Sequence, residues 1–170
     1  LTKNLGNAAI YQLIGKVCSG QKIETLATKF PAIKDKIGGH DCYIFTCDPQ
    51  ILLKIGYVVH QKDRDSNTEH EAFQRLVRPA RLKGIRTFID EGGYFPNSVI
   101  LNLSSKGNAG WNAAAQGIHD SLTSKHGIIE LPKVYRSVYI IDGQHRLYGF
   151  TGNSDKRHSV PVVLFHNMKP

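Results

Sequence analysis

Ser137-Val-Tyr-Ile-Ile-Asp-Gly-Gln-His-Arg146 runs from an uninterrupted apolar stretch into a glycine turn and then a cationic pair. Ser137–Ile141 predicts a buried strand, since β-branched and aromatic residues follow one another without a polar break. Asp142–Arg146 predicts a tight turn, and Leu147–Phe150 a helical turn. Gly143 removes the Cβ and permits a sharp turn or a close backbone approach. A strand that turns through glycine into a helix start is a phosphate-binding arrangement, because the amides that follow face an anion. Gln144 sits among those amides, while His145 and Arg146 add donor side chains, the arginine with a fork suited to phosphate. Asp142, at the end of the strand, is placed to orient His145 or to contact a metal ion. The alternative is structural, with Asp142 capping the helix and pairing with Arg146.

Outward from this stretch, Val160–Phe165 and Ser98–Leu103 read as near-continuous apolar strands, expected beside Ser137–Ile141 in a central sheet. Cys42–Thr46 and Tyr57–His60 are further strands, and Ala8–Val17 is read as an opening strand. Lys22–Phe30 is read as a short helix or turn. Asp48 before Pro49 starts a helix through Lys54, ended by Gly56. Gln61–Asn67 is an exposed loop, and Thr68-x-x-Glu71 opens a helical pattern with Phe73, Leu76 and Val77. Pro79 breaks that pattern and begins a second helix, Pro79–Asp90, with Leu82, Ile85, Phe88 and Ile89 on its apolar face. Ser104–Leu131 is the least regular region, an insertion or flap with a short helix around Asn112–Leu122. The fold class is α/β (α+β), a mixed central sheet with flanking helices in one domain over residues 1–170. The chain begins at Leu1 without Met and ends at Pro170 directly after a strand, as a fragment of a longer protein would.

Twenty-two Lys+Arg against 14 Asp+Glu give a net charge of +8 over 170 residues. An excess of that size favours a polyanionic partner, the alternative being a merely basic, soluble protein. Gln74-Arg-Leu-Val-Arg-Pro-Ala-Arg81 places Arg75, Arg78 and Arg81 three residues apart around the helix break, so their heads can converge on one anion-binding face; the alternative is a solvated basic face. Cys18, Cys42 and Cys47 are an odd number without a C-x-x-C pair, which argues for buried free thiols over a zinc site. No apolar run reaches the roughly 18 residues that a membrane span needs. With no signal-peptide pattern either, the expected location is cytoplasmic.

The order Arg-rich helix, helix, Gly-Gly-x-x-Pro turn, strand, Tyr-Ile-Ile-Asp-Gly-Gln-His-Arg and Val-Pro-Val-Val resembles the ParB/sulfiredoxin superfamily. More narrowly, Asp142-Gly-Gln-His-Arg146 resembles the DGQHR-domain family, which includes the DndB-like proteins of DNA phosphorothioation and related phage-defence systems. Gln74-Arg75, Arg81–Ile85, Phe95-Pro-Asn97 and Leu147-Tyr148 support the match. Sulfiredoxins carry a nucleophilic Cys where this chain has Gln144, and an amide cannot take over that attack. ParB-like proteins bind CTP through their Gly-x-x-Arg turn and an upstream arginine motif, which Arg75–Arg81 matches.

The resemblance implies a protein that binds a nucleoside triphosphate, ATP or CTP, with Mg²⁺, and acts on DNA within a modification or phage-defence system. Gly143, Gln144, His145 and Arg146, with Gln74, Arg75 and Arg78, would hold the nucleotide. Asp142 and His145 would be catalytic, with Asp142 the metal contact, and Arg78, Arg81 and Lys83 would touch DNA. The enzyme version is a nucleoside triphosphatase or a nucleotide-dependent nicking nuclease. A non-catalytic DNA-binding transcriptional regulator is one alternative. A protein-interaction module that recruits a modification complex, with or without self-association, is the other.

Overall fold

A computed structural model describes residues 6–58, 77–103, 109–114, 124–152 and 158–168. The sheet is built on β7 (Val138–Asp142), β4 (Val99–Leu103) and β8 (Val160–His166), which lie side by side. As the apolar runs predict, β7 pairs with β4, in antiparallel fashion, and β4 pairs with β8 in parallel. Their inward residues are Val99, Leu101, Leu103, Val138, Ile140, Val162 and Leu164, each at most 2% exposed.

The sheet continues from β8 through β2 (His40–Cys47), β1 (Lys29–Ile37) and β6 (Lys125–Glu130) to β5 (Gly110–Ala113), all antiparallel neighbours. On the other side β7 carries the two-residue strand β3 (Gly56–Tyr57) in parallel. The result is a mixed eight-stranded sheet of an α/β fold. It curls at the β5 end, since Trp111 of β5 meets Tyr43 of β2 at 5.4 Å between ring centroids.

Among the described residues four helices accompany the sheet: α1 (Asn7–Val17), α2 (Pro49–Ile55), α3 (Pro79–Asp90) and α4 (Gln144–Gly149). Leu52, Ile55, Ile89 and Leu147 pack from α2, α3 and α4 into the same core as the inward strand residues. None of these helices is long and apolar enough to cross a membrane. In α2, Asp48 caps with its carboxylate accepting from Gln50 N–H at 2.8 Å, and Pro49 takes the first helical position. Gly56 ends it in extended backbone, and a Cβ there would lie 2.6 Å from Leu52 O.

Several expected elements differ. Ala8–Val17 is helix, because Ala8, Tyr11 and Gly15 recur at helical spacing and turn to the core while Leu13, Ile14 and Val17 stay exposed. Around Lys22 the chain makes a bridge to Val134 and a turn before β1 begins at Lys29. Asn112 and Ala113 belong to strand β5, where Gly127 leaves the space that the Trp111 ring fills, 2.7 Å from where a Cβ would stand; the rest of the helix expected there, 115–122, lies outside the described residues. The described part of the stretch Ser104–Leu131 thus supplies two strands, and Ile129 and Leu131 are core residues. The strand read at Tyr57–His60 is only the pair Gly56–Tyr57; Val58 falls after it, and the last two residues lie outside the described ones. The loop at Gln61–Asn67 and the helix after Thr68 lie outside them as well.

Cys42 and Cys47 are buried, and burial pushes both thiols upward from their ordinary value. Cys18 is partly exposed. Because the thiolate is the nucleophile, a maleimide is expected to modify one thiol quickly in the native protein and all three only after denaturation. Mass spectrometry of the labelled chain checks this, and rapid native labelling of Cys47 would refute it.

Candidate functional site

The strand β7 delivers Asp142 to the end of the sheet, and the chain then reverses through Gly143. This residue sits at φ 93°, in the left-handed region, where a side chain is strained. A Cβ at Gly143 would also stand 3.3 Å from Val99 Cα and 3.1 Å from Arg146 Nη2. Gly143→Ala is therefore expected to cost about 1–2 kcal/mol from backbone strain, read by urea denaturation; an unchanged midpoint would show that the turn relaxes freely.

Helix α4 begins at Gln144, so Gln144, His145 and Arg146 form its first turn, where a non-helical turn before Leu147 was expected. The Leu147 N–H donates to Gly143 O at 2.9 Å. No side chain caps the helix, so Asp142 does not act as its N-cap. Its carboxylate instead meets Arg146 Nη2 at 3.2 Å, four residues on.

Arg146 does more than pair with Asp142. Its Nη1 donates to Asn97 O, and Nη2 donates to Ser98 O at 3.1 Å. These carbonyls belong to the residues that lead into β4. One guanidinium therefore ties together the start of β4, the end of β7 and the first turn of α4. The side chain is 20% exposed, against 70% for Asp142.

His145 reaches the other wall. Its Nε2 accepts from the backbone N–H of Arg78 at 3.4 Å. Arg78 is the extended residue before Pro79 and the N-cap of α3, as the steric demand of a following proline requires. Helix α3 starts at Pro79, as expected, and ends where Gly92 turns left-handed at φ 88°. One turn in, Arg81 faces the same space as His145 and Arg146, and Ile85 follows on that face.

Between these walls lies a cleft of ≈ 590 Å³, lined by Arg81 and Ile85 of α3, by Phe95 and Asn97, and by Ile141 through Arg146. It joins two arginines, Arg81 and Arg146, and the imidazole of His145 to an apolar side made by Ile85, Phe95 and Ile141. Phe95 is fixed by a tilted ring contact with Phe88, 5.1 Å between centroids. Gln144 is 7% exposed and lines the cleft from its buried side.

Of the residues singled out in the sequence, Asp142, Gly143, Gln144, His145, Arg146 and Arg81 thus converge on one cleft. Arg78 contributes its backbone amide to His145. Lys83 is exposed on α3 and is not part of the lining. Gln74 and Arg75 lie outside the described residues. Sequence reasoning did not place Ile85, Phe95, Asn97 or Ile141 in the site, although the Phe95-Pro-Asn97 signal was visible. Among the described residues no three His, Cys, Asp or Glu side chains gather as a metal cluster.

No curated protein and no solved structure matches the chain. Residues 30–168, which include every element of the cleft, match the DndB family, described as DNA-sulfur modification-associated, and the chain belongs to that family.

Proposed function

We propose that the cleft binds a nucleoside triphosphate, ATP or CTP, and that the protein uses it in a DNA-sulfur modification system. The observation that carries this reading is the meeting of Arg81, from α3, with His145 and Arg146 of the Gly143–Arg146 turn around one cleft. A volume of ≈ 590 Å³ falls in the range of small-molecule sites. Phosphates would lie toward Arg81 and His145, and the flat base against Phe95, Ile85 and Ile141. Asp142, mostly exposed, would help hold a Mg²⁺ that enters with the phosphates. Hydrolysis of the nucleotide, with Asp142 and His145 as the reacting groups, is the enzymatic form of the same proposal. Binding to DNA would use Arg78, Arg81 and Lys83 as phosphate contacts, alongside other proteins of the system.

Calorimetric titration with ATP, CTP and GTP, with and without Mg²⁺, tests the reading. Arg81→Ala removes a charge-assisted donor of about 1.5–3 kcal/mol, so affinity should fall at least about tenfold. Lys83→Ala, outside the cleft, should leave it unchanged. Absence of binding by any of the three nucleotides would overturn the proposal.

The net charge of +8 also favours a second reading, a DNA-binding regulator that does not need nucleotide. It predicts duplex binding that is indifferent to ATP or CTP and falls steeply with salt. A module that only recruits other proteins would show neither behaviour.

A further inference from the structure

At the opposite end of β7 from the cleft, the chain enters the strand through Arg136, a non-glycine residue at φ 54°. A left-handed arginine is strained, and such strain persists only where the surroundings hold it. Here the side chain lies across α1, since a Cβ on Gly15 would sit 3.5 Å from Arg136 Cγ. Its guanidinium carbon stands 5.4 Å from the centre of the Tyr57 ring. Tyr148, 5% exposed, closes the space behind, its hydroxyl bonded to Gln12 and within the field of Arg136. Lys16 of α1 lines the same space.

These groups line a pocket of ≈ 60 Å³ that opens to solvent. It is too small for a nucleotide and suits one tetrahedral group. Two cations and tyrosine rings line it, and among the described residues no carboxylate pairs with Arg136. A half-buried guanidinium needs an anion or donor-matched partner to offset its lost hydration. The aromatic face of Tyr57 supplies part of this.

We propose that Arg136 anchors a second oxyanion site, separate from the cleft, that takes a single phosphate group. That group comes either from a DNA backbone phosphodiester or from free phosphate. The two sources share their chemistry and differ in what they do to DNA affinity.

The test uses the whole chain in an Arg81→Ala background, which removes a cation from the cleft and leaves Arg136 intact. Thermal unfolding is followed in inorganic phosphate and in chloride at equal ionic strength, and duplex DNA binding is followed against salt. Arg136→Gly is the informative variant, because glycine accepts the left-handed backbone and the fold is kept. Arg136→Gln provides a second variant that keeps most of the side-chain bulk.

A phosphodiester ligand lowers the salt slope of DNA binding by about one in both variants. A free-phosphate ligand raises the melting temperature in phosphate, a rise that both variants abolish while the DNA slope stays unchanged. Either result supports the site. A phosphate response and DNA slope that survive both substitutions overturn it, as does the lack of any effect of phosphate or salt on the parent protein. Nucleotide binding at the cleft is measured separately, so failure here leaves that reading standing and the reverse also holds.

Discussion

Gly149→Val is expected to destabilise the protein by about 3 kcal/mol and, on the proposed reading of the cleft, to weaken nucleotide binding there although Gly149 does not line it. Gly149 is buried on α4 where α3 crosses it, and a Cβ there would fall 2.2 Å from Ile85 Cγ2 and 3.2 Å from Ile85 Cβ. Isoleucine is stiff at χ1, so its branch methyl cannot swing aside without leaving a preferred rotamer. The backbone of α3 must give way instead. Because Ile85 and Arg81 both face the cleft from α3, that movement carries Arg81 away from His145 and Arg146. For a domain of this size, the loss corresponds to a fall in melting temperature of roughly 6–12 °C.

Gly149→Ala places one carbon in the same space and gains about 0.5–1 kcal/mol of helix propensity, so it should lie between parent and valine variant. Pairing Gly149→Val with Ile85→Ala should recover much of the loss, as expected for two residues in direct contact. Additive effects in that double mutant, or an unchanged melting temperature for Gly149→Val, would refute the close-packing account.

The elements most legible in the sequence are those whose ends carry their own chemistry. Pro79 and the Glu91-Gly-Gly93 stop delimit α3, and Asp48-Pro49 starts α2, because caps and prolines act locally. The strands at Val99, Val138 and Val160 were legible because both faces of each are largely apolar. By contrast, Ala8–Val17 misleads because its exposed Leu13, Ile14 and Val17 fill the gaps of the helical period and mimic a strand. Trp111 and Gly127 meet only across strands, which no local pattern reveals. The turn Gly143–Arg146 was legible as half a site. The other half is set by tertiary packing, since Ile85 and Phe95 reach the cleft only once α3 lies on α4. The partners of Asp142 and His145 likewise depend on where Arg146 and Arg78 come to rest.

Arg146→Ala should show that this arginine holds the site together as well as facing the ligand. Three acceptors converge on its guanidinium: Asn97 O, Ser98 O and Asp142 Oδ2. The contact to Asp142 contributes little, about 0–1 kcal/mol, because that carboxylate is 70% exposed. The two carbonyl contacts matter more, since hydrogen bonds to a charged donor contribute about 1.5–3 kcal/mol each and the Ser98 carbonyl lies where β4 enters the sheet. Water can replace part of this at Asn97, so the expected loss for Arg146→Ala is about 2–4 kcal/mol. Asp142→Asn should cost no more than about 1 kcal/mol. Arg146→Lys should resemble alanine more than arginine, because one ammonium lacks the planar fork that meets separate acceptors. Nucleotide affinity should fall at least tenfold in Arg146→Ala, whereas Arg81→Ala should lose affinity with its melting temperature nearly intact. Denaturation and calorimetry on the same preparations separate the two roles. If Arg146→Ala unfolds at the parent's midpoint, the three-way tie does not hold β4 and β7 to the turn, and Arg146 serves the ligand alone.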